Sequence, residues 1–167
     1  TTYARDANGN IVSVTEVDQS DLGSPPETFV TTFVYDGLDR LIQRIDNAGQ
    51  VTSLAYNSLN NVVLKTDALG VSTRYDHDGL GRLLRTVRDL NGNGPDPLEA
   101  DALVISQTWD ASSRLTSRTD DNGNTTTYAY DSLDRLTSTI FADSSTKTVT
   151  YDVHGNPLTT TDPNGSV

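Results

Sequence analysis

The chain has 167 residues, no Cys, no Met and a formal net charge of −11. That acidic balance argues against a nucleic-acid partner, whose phosphates call for clustered Lys and Arg. The lack of Cys excludes a disulfide framework and any Cys-based metal site. A hydrophobic fraction of 34% suits a sheet with one apolar face better than a deep globular core. With 20 Asp against 3 Glu, and 24 Thr, the chain favours turns and strands over helix interiors. It contains no long apolar run of the kind that spans a membrane.

From the N-terminus, one seven-residue motif returns along the whole chain. Arg5–Ile11 reads RDANGNI, Tyr35–Leu41 YDGLDRL and Tyr56–Val62 YNSLNNV. His77–Leu83 reads HDGLGRL, Trp109–Leu115 WDASSRL and Tyr130–Leu136 YDSLDRL. The last copy, Tyr151–Pro157, reads YDVHGNP and is followed by Leu158. The steps between leading residues are 30, 21, 21, 32, 21 and 21. A fixed period of this length is the signature of a repeat architecture.

Each repeat has a second half. In four of the seven copies an Asp stands eleven residues after the lead (Asp46, Asp67, Asp120, Asp162), and three further on a Gly (Gly49, Gly70, Gly123, Gly165). Gly supplies positive φ, and Asx side chains bond their own backbone, so both mark tight turns. Two turns per repeat, flanked by alternating apolar and polar residues, predict one β-hairpin per repeat. Residues 1–167 therefore read as seven repeats led by residues 5, 35, 56, 77, 109, 130 and 151. The fold class is all-β, a tandem β-hairpin array forming a continuous spiralling antiparallel sheet, as a segment of a shell, tube or filament. The segment Asp162-Pro163-Asn164-Gly165 falls at the ordinary second-turn phase and reads as a turn.

The strand entering each motif alternates with period two. Tyr3, Phe33, Leu54, Tyr75, Gln107, Tyr128 and Val149 precede the leads by two residues and share their face. Tyr35, Tyr56, His77, Trp109, Tyr130 and Tyr151 are expected to stack as a largely buried structural ladder across neighbouring strands. The outgoing strand brings Leu41, and then Ile45, at equivalent positions. Asp36 with Arg40, Asp78 with Arg82, Asp110 with Arg114, and Asp131 with Arg135 can form charge-assisted bonds across the turn. Carboxylates that recur in every repeat read as structural rather than as an acid–base set.

Two long loops, at about 16–28 and 89–103, break the period. They are rich in Pro, Gly and Asp, as surface loops are. The second begins Asp89-Leu90-Asn91-Gly92-Asn93-Gly94, with oxygen side chains at positions 1, 3 and 5 and Gly at 6, like a calcium loop. The residue at position 12 is Ala100, flanked by Glu99 and Asp101, so Asp96 would have to complete the site. Asp89, Asn91, Asn93 and Asp96 are the candidate calcium ligands; a plain Asx/Gly loop is the competing reading. The first loop, with Asp18, Asp21 and Glu27, lacks that spacing. The two His, His77 and His154, stand in different motif phases and suggest no catalytic or metal site.

These residues resemble the RHS/YD-repeat family, in which Tyr-Asp is followed by Gly-Arg-Leu and a Gly-containing turn. The resemblance covers nearly the whole chain outside the two long loops. It implies large secreted or surface proteins, among them polymorphic toxins, toxin-complex shells, wall-associated proteins and teneurins. Their repeats form a long spiralling sheet of hairpins, which in the toxins encloses an effector.

The chain is thus expected to be a non-catalytic structural repeat segment of a large extracellular or cell-surface protein. Its partners would be further YD repeats in the same or a neighbouring chain, with an enclosed effector or surface glycans. The alternative is an extracellular glycan- or surface-adhesion module, calcium-stabilised, using exposed Tyr and the acidic loops. A carboxylate hydrolase would need two carboxylates converging in a pocket, which the regular spread of Asp gives no reason to expect. The missing initiator Met and the mid-repeat sequences at both termini read as an excerpt from a longer array, without a signal peptide.

Overall fold

The computed structural model describes residues 1–18, 25–96 and 102–166. The central parts of both long loops, with Asp21, Glu99, Ala100 and Asp101, lie outside the described residues. The described residues form strands, turns and bends with no helix. Fourteen strands follow one another: β1 (Thr2–Arg5), β2 (Ile11–Asp18), β3 (Glu27–Tyr35), β4 (Leu41–Ile45), β5 (Val51–Tyr56), β6 (Val62–Thr66) and β7 (Ser72–His77), then β8 (Leu83–Arg88), β9 (Leu103–Trp109), β10 (Leu115–Thr119), β11 (Thr125–Tyr130), β12 (Leu136–Ile140), β13 (Thr146–Tyr151) and β14 (Pro157–Thr161). They stand in one open sheet in chain order, and every described pairing is antiparallel.

One turn geometry serves both halves of the repeat. In the first half, the Asp36 N–H donates to the Arg40 carbonyl at 2.9 Å and the Asp39 N–H to the Asp36 carbonyl at 3.1 Å. The Asp36 carboxylate accepts the N–H groups of Leu38 and Arg40 at 2.9 and 3.0 Å. In the second half, Asp46 repeats the pattern with Gln50, Gly49 and Ala48. The fourth residue of this turn needs positive φ, 58° at Asp39 and 78° at Gly49. That conformation explains the sequence bias to Gly, Asp, Asn and Ser there. The turn at Asp162 is of the same kind, with Gly165 at φ 82°. Asn57 and Phe141 each replace the Asp and the backbone bonds persist, so the carboxylate reinforces the turn without being required for it.

A β-bulge in the motif hairpins was not legible in the sequence. Val34 pairs with Gln43 but Tyr35 with Leu41, which leaves Ile42 as the extra residue. The same shift occurs between Ala4 and Arg5, Ala55 and Tyr56, Ala129 and Tyr130, and Thr150 and Tyr151. Directly paired residues share a face, and the inserted residue resets the alternation. Leu41 stays beside Tyr35, whereas Ile45 pairs with Thr32 on the opposite face. A plain period-two reading would have kept Leu41 and Ile45 together.

The chain divides into two compact units: Thr1–Arg74 with Arg88–Asp96, and Tyr75–Val87 with Pro97–Val167. In the first, β1 to β6 and the start of β7 pair in sequence. In the second, β9 to β14 do the same. Among the described residues, Val87 is the only fully buried hydrophobic side chain. Tyr35, Tyr56, His77, Trp109, Tyr130 and Tyr151 are neither fully buried nor exposed.

Candidate functional site: the joint between successive repeats

The leading aromatics do more than pack. Each reaches the first residue of the outgoing strand in the preceding hairpin and donates to its backbone carbonyl. In the first unit the Tyr35 hydroxyl donates to Ile11 at 3.0 Å and Tyr56 to Leu41 at 2.8 Å. In the second, the Trp109 indole N–H donates to Leu83 at 2.8 Å, Tyr130 to Leu115 at 2.9 Å and Tyr151 to Leu136 at 2.8 Å. The Ile11, Leu41, Leu115 and Leu136 acceptors sit beside a bulge, where the ladder is locally broken. Donor and acceptor are 15 residues apart between adjacent short repeats, and 24 or 26 apart where a long loop intervenes. The long loops therefore leave this bond in place.

The motif Arg spans the same joint. The Arg40 Nε donates to Asp36 Oδ2 in its own turn at 2.7 Å, and its Nη1 to the Asn57 carbonyl of the next turn at 3.1 Å. Its guanidinium carbon lies 4.8 Å from the centre of the Tyr56 ring, within cation–π range. Arg114 bonds Asp110, Asp131 and Asp134 in this way and lies 5.1 Å from the Tyr130 ring. Arg135 bonds Asp131 and the Asp152 carbonyl and lies 4.7 Å from the Tyr151 ring. Arg82 bonds Asp78 and donates to the Asp110 carbonyl at 2.7 Å.

Electrostatics follow from these bonds. The Arg40 side chain, and its backbone N–H with that of Leu38, outweigh the opposing effect of burial and hold the Asp36 carboxyl below its ordinary value. At Asp110 and Asp131 the leading cause is the backbone N–H of Arg114 and Arg135 respectively, with burial again opposing. The Asp110 side chain in turn raises the Arg114 value.

Where the motif has Asn instead of Arg, the reach is shorter. Asn10 bonds Asp6 at 3.1 Å and Asp39 at 2.7 Å, and Asn156 bonds Asp152 at 2.9 Å. The Asn61 Nδ2 is buried without a hydrogen-bond partner, and so is the Nδ1 of His77. His154 is an exposed turn residue whose N–H donates to Asp152.

The loop after β8 closes around one carboxylate. Asp89 is 3% exposed, and its N–H donates to the Ser72 carbonyl at 2.9 Å. Its Oδ1 accepts the N–H groups of Asn91 and Gly92, and its Oδ2 that of Gly94. Asn91 Oδ1 accepts the Asn93 N–H. The side-chain oxygens offered for calcium at Asp89 and Asn91 are thus bonded to the loop's own backbone. Among the described residues, no three His, Cys, Asp or Glu side chains gather as a metal cluster. In the other long loop, Asp18 and Glu27 face each other as a β2–β3 strand pair.

Repeat-to-repeat contacts of this kind, on antiparallel hairpins, define a hairpin-repeat structural protein. The sequence matches the RHS Repeat family over residues 35–67, 56–93 and 109–146, together more than half of the chain. The chain belongs to the RHS repeat family and is a structural repeat segment. Among solved structures it is similar to TcdB2-TccC3 without its hypervariable C-terminal region, at 16% identity over 98% of this chain, with a TM-score of 0.34. A Photorhabdus luminescens Tc holotoxin pore is similar at 16% identity over 97%, with a TM-score of 0.32. The chain spans 13% of the length of each. No curated protein matches it.

The sequence pointed to the aromatic and charged positions but not to their bonds. One signal was present: the leads are Tyr or Trp, which carry a donor, in five of the seven copies, and never Phe.

Proposed function

We propose that this chain is a non-catalytic stretch of wall, a β-shell, tube or filament segment, in a large secreted or surface RHS protein. Family membership supports a structural role, and the joint supports an extensible one. In each unit the aromatic of one repeat donates to the repeat before it, so hairpins can be added without a new type of contact. Further YD repeats, in the same chain or a neighbour, are the natural partners, and an effector segment is the natural content of the enclosed space. Seven repeats act as one array in this reading, and the setting is extracellular. Among the described residues no helix is long and apolar enough to cross a membrane.

An adhesion role would use exposed tyrosines as a glycan platform. The hydroxyls of Tyr35, Tyr56, Tyr130 and Tyr151 are instead committed to backbone carbonyls, and no observation favours that role. Electron microscopy of the intact parent protein tests the proposal. The expected density is a hairpin wall running through this segment into further repeats. A segment standing apart as a separate module, bound to glycan on a glycan array, would overturn it.

A further inference from the structure

Five Asn-Gly pairs occur in this chain: Asn8-Gly9, Asn91-Gly92, Asn93-Gly94, Asn122-Gly123 and Asn164-Gly165. Such pairs are chemically fragile. The Gly amide nitrogen loses its proton to solvent base and attacks the Asn side-chain carbon Cγ. The new N–Cγ bond closes a succinimide, the Cγ–Nδ2 bond breaks, and the nitrogen leaves as ammonia. Water then opens the ring to aspartate or isoaspartate. Glycine offers no Cβ to hinder the attack, so the main restraint available is to occupy its N–H.

In three of the pairs the hairpin supplies that restraint. The N–H of Gly9, Gly123 and Gly165 donates to the carbonyl of Asp6, Asp120 and Asp162 at 3.2, 3.1 and 2.8 Å. Among the described residues, the two pairs in the loop after β8 have no such backbone bond. There one side chain serves both: Gly92 donates to Asp89 Oδ1 and Gly94 to Asp89 Oδ2, each at 2.9 Å. The Asp89 carboxylate is buried and is itself fixed by its N–H to the Ser72 carbonyl.

We propose that Asp89 guards two Asn-Gly bonds at once, holding both glycine amides so that Asn91 and Asn93 resist conversion to isoaspartate. A carboxylate is suited to this because a charged acceptor binds N–H more strongly than a neutral one. Attack requires the loop to open first, as amide hydrogen exchange does, so both sites report the same opening. If the bond at Asp89 is lost, the loop becomes a site of slow, irreversible modification.

The test is peptide mapping by mass spectrometry after incubation of the full chain at mildly alkaline pH, with and without urea. In the native chain, deamidation at Asn91 and Asn93 should be slower than in urea by about tenfold or more, as expected for chemistry gated by opening. Asp89→Asn should speed loss at both sites while Asn122, held by its own turn, stays slow in the same sample. Equal rates at Asn91 and Asn93 in native and urea-treated wild-type chain would overturn the proposal. So would an Asp89→Asn chain that keeps Asn122 slow and leaves Asn91 and Asn93 unchanged. Should Asp89→Asn unfold the chain, Asn122 will accelerate too, and the wild-type comparison then decides alone.

Discussion

The hydroxyl of Tyr130 donates to the carbonyl of Leu115 across the joint between two hairpins, at 2.9 Å. Leu115 follows Arg114, whose guanidinium lies over the same Tyr130 ring. Two adjacent residues of one repeat thus hold a single aromatic of the next, one through the backbone and one through charge. This local device is what a quasi-linear array needs, because each repeat contacts only its neighbours.

The guanidinium arm is tested by Arg114→Ala, compared with Arg44→Ala on an exposed position of β4. Arg114 bonds Asp110, Asp131 and Asp134, so its loss should lower the urea midpoint clearly more than loss of Arg44. Arg114→Lys should recover little, since an ammonium cannot reproduce a planar fork that spans two turns. Equal midpoints for the two alanine variants would show that the bridge is ornamental.

Turn strain gives a prediction of opposite sign at two positions. Ser144 sits at φ 67°, a conformation costly for any residue with a Cβ. Ser144→Gly should stabilise the chain by about 0.5–1 kcal/mol in denaturant melts. Gly70 sits at φ 84°, and a Cβ added there would meet nothing within 4 Å, so Gly70→Ala isolates the backbone effect. It should cost about 1 kcal/mol. A neutral result at both would mean the turns relax freely.

Acid should unfold the array through its turns. The folded carboxyls of Asp36, Asp110 and Asp131 lie below the ordinary value of 3.8. A lowered folded value means the stabilisation is full above the unfolded value and is lost as pH falls through the folded one. The melting temperature should therefore hold from neutral pH down to about 4 and fall below it. Asp131→Asn should blunt that acid limb. A melting temperature that rises steadily on acidification from about pH 4 to about pH 2 would contradict this reading.

The hairpins were legible because the 21-residue step and the Asp-x-x-Gly turns are local signals, and positive φ at Gly49 and Gly70 follows from them. The bulge at Ile42 was not legible, because an inserted residue leaves the motif spacing unchanged and alters only pairing. The Tyr130 bond was hidden for a related reason: its acceptor is a main-chain carbonyl, which carries no residue identity. At Asp89 the sequence showed an oxygen spacing, and spacing does not reveal that the amides of Gly92 and Gly94 donate to its carboxylate.

The joint itself is tested most directly by paired phenylalanine variants on β11. Tyr130→Phe removes one hydroxyl and strands the Leu115 carbonyl, while Tyr128→Phe removes a hydroxyl from the same strand that makes no hydrogen bond to the described residues. In urea melts Tyr130→Phe should cost about 1–2 kcal/mol and Tyr128→Phe less than about 0.5 kcal/mol. Equal losses in the two variants would contradict the claim that the leading hydroxyl couples one repeat to the next.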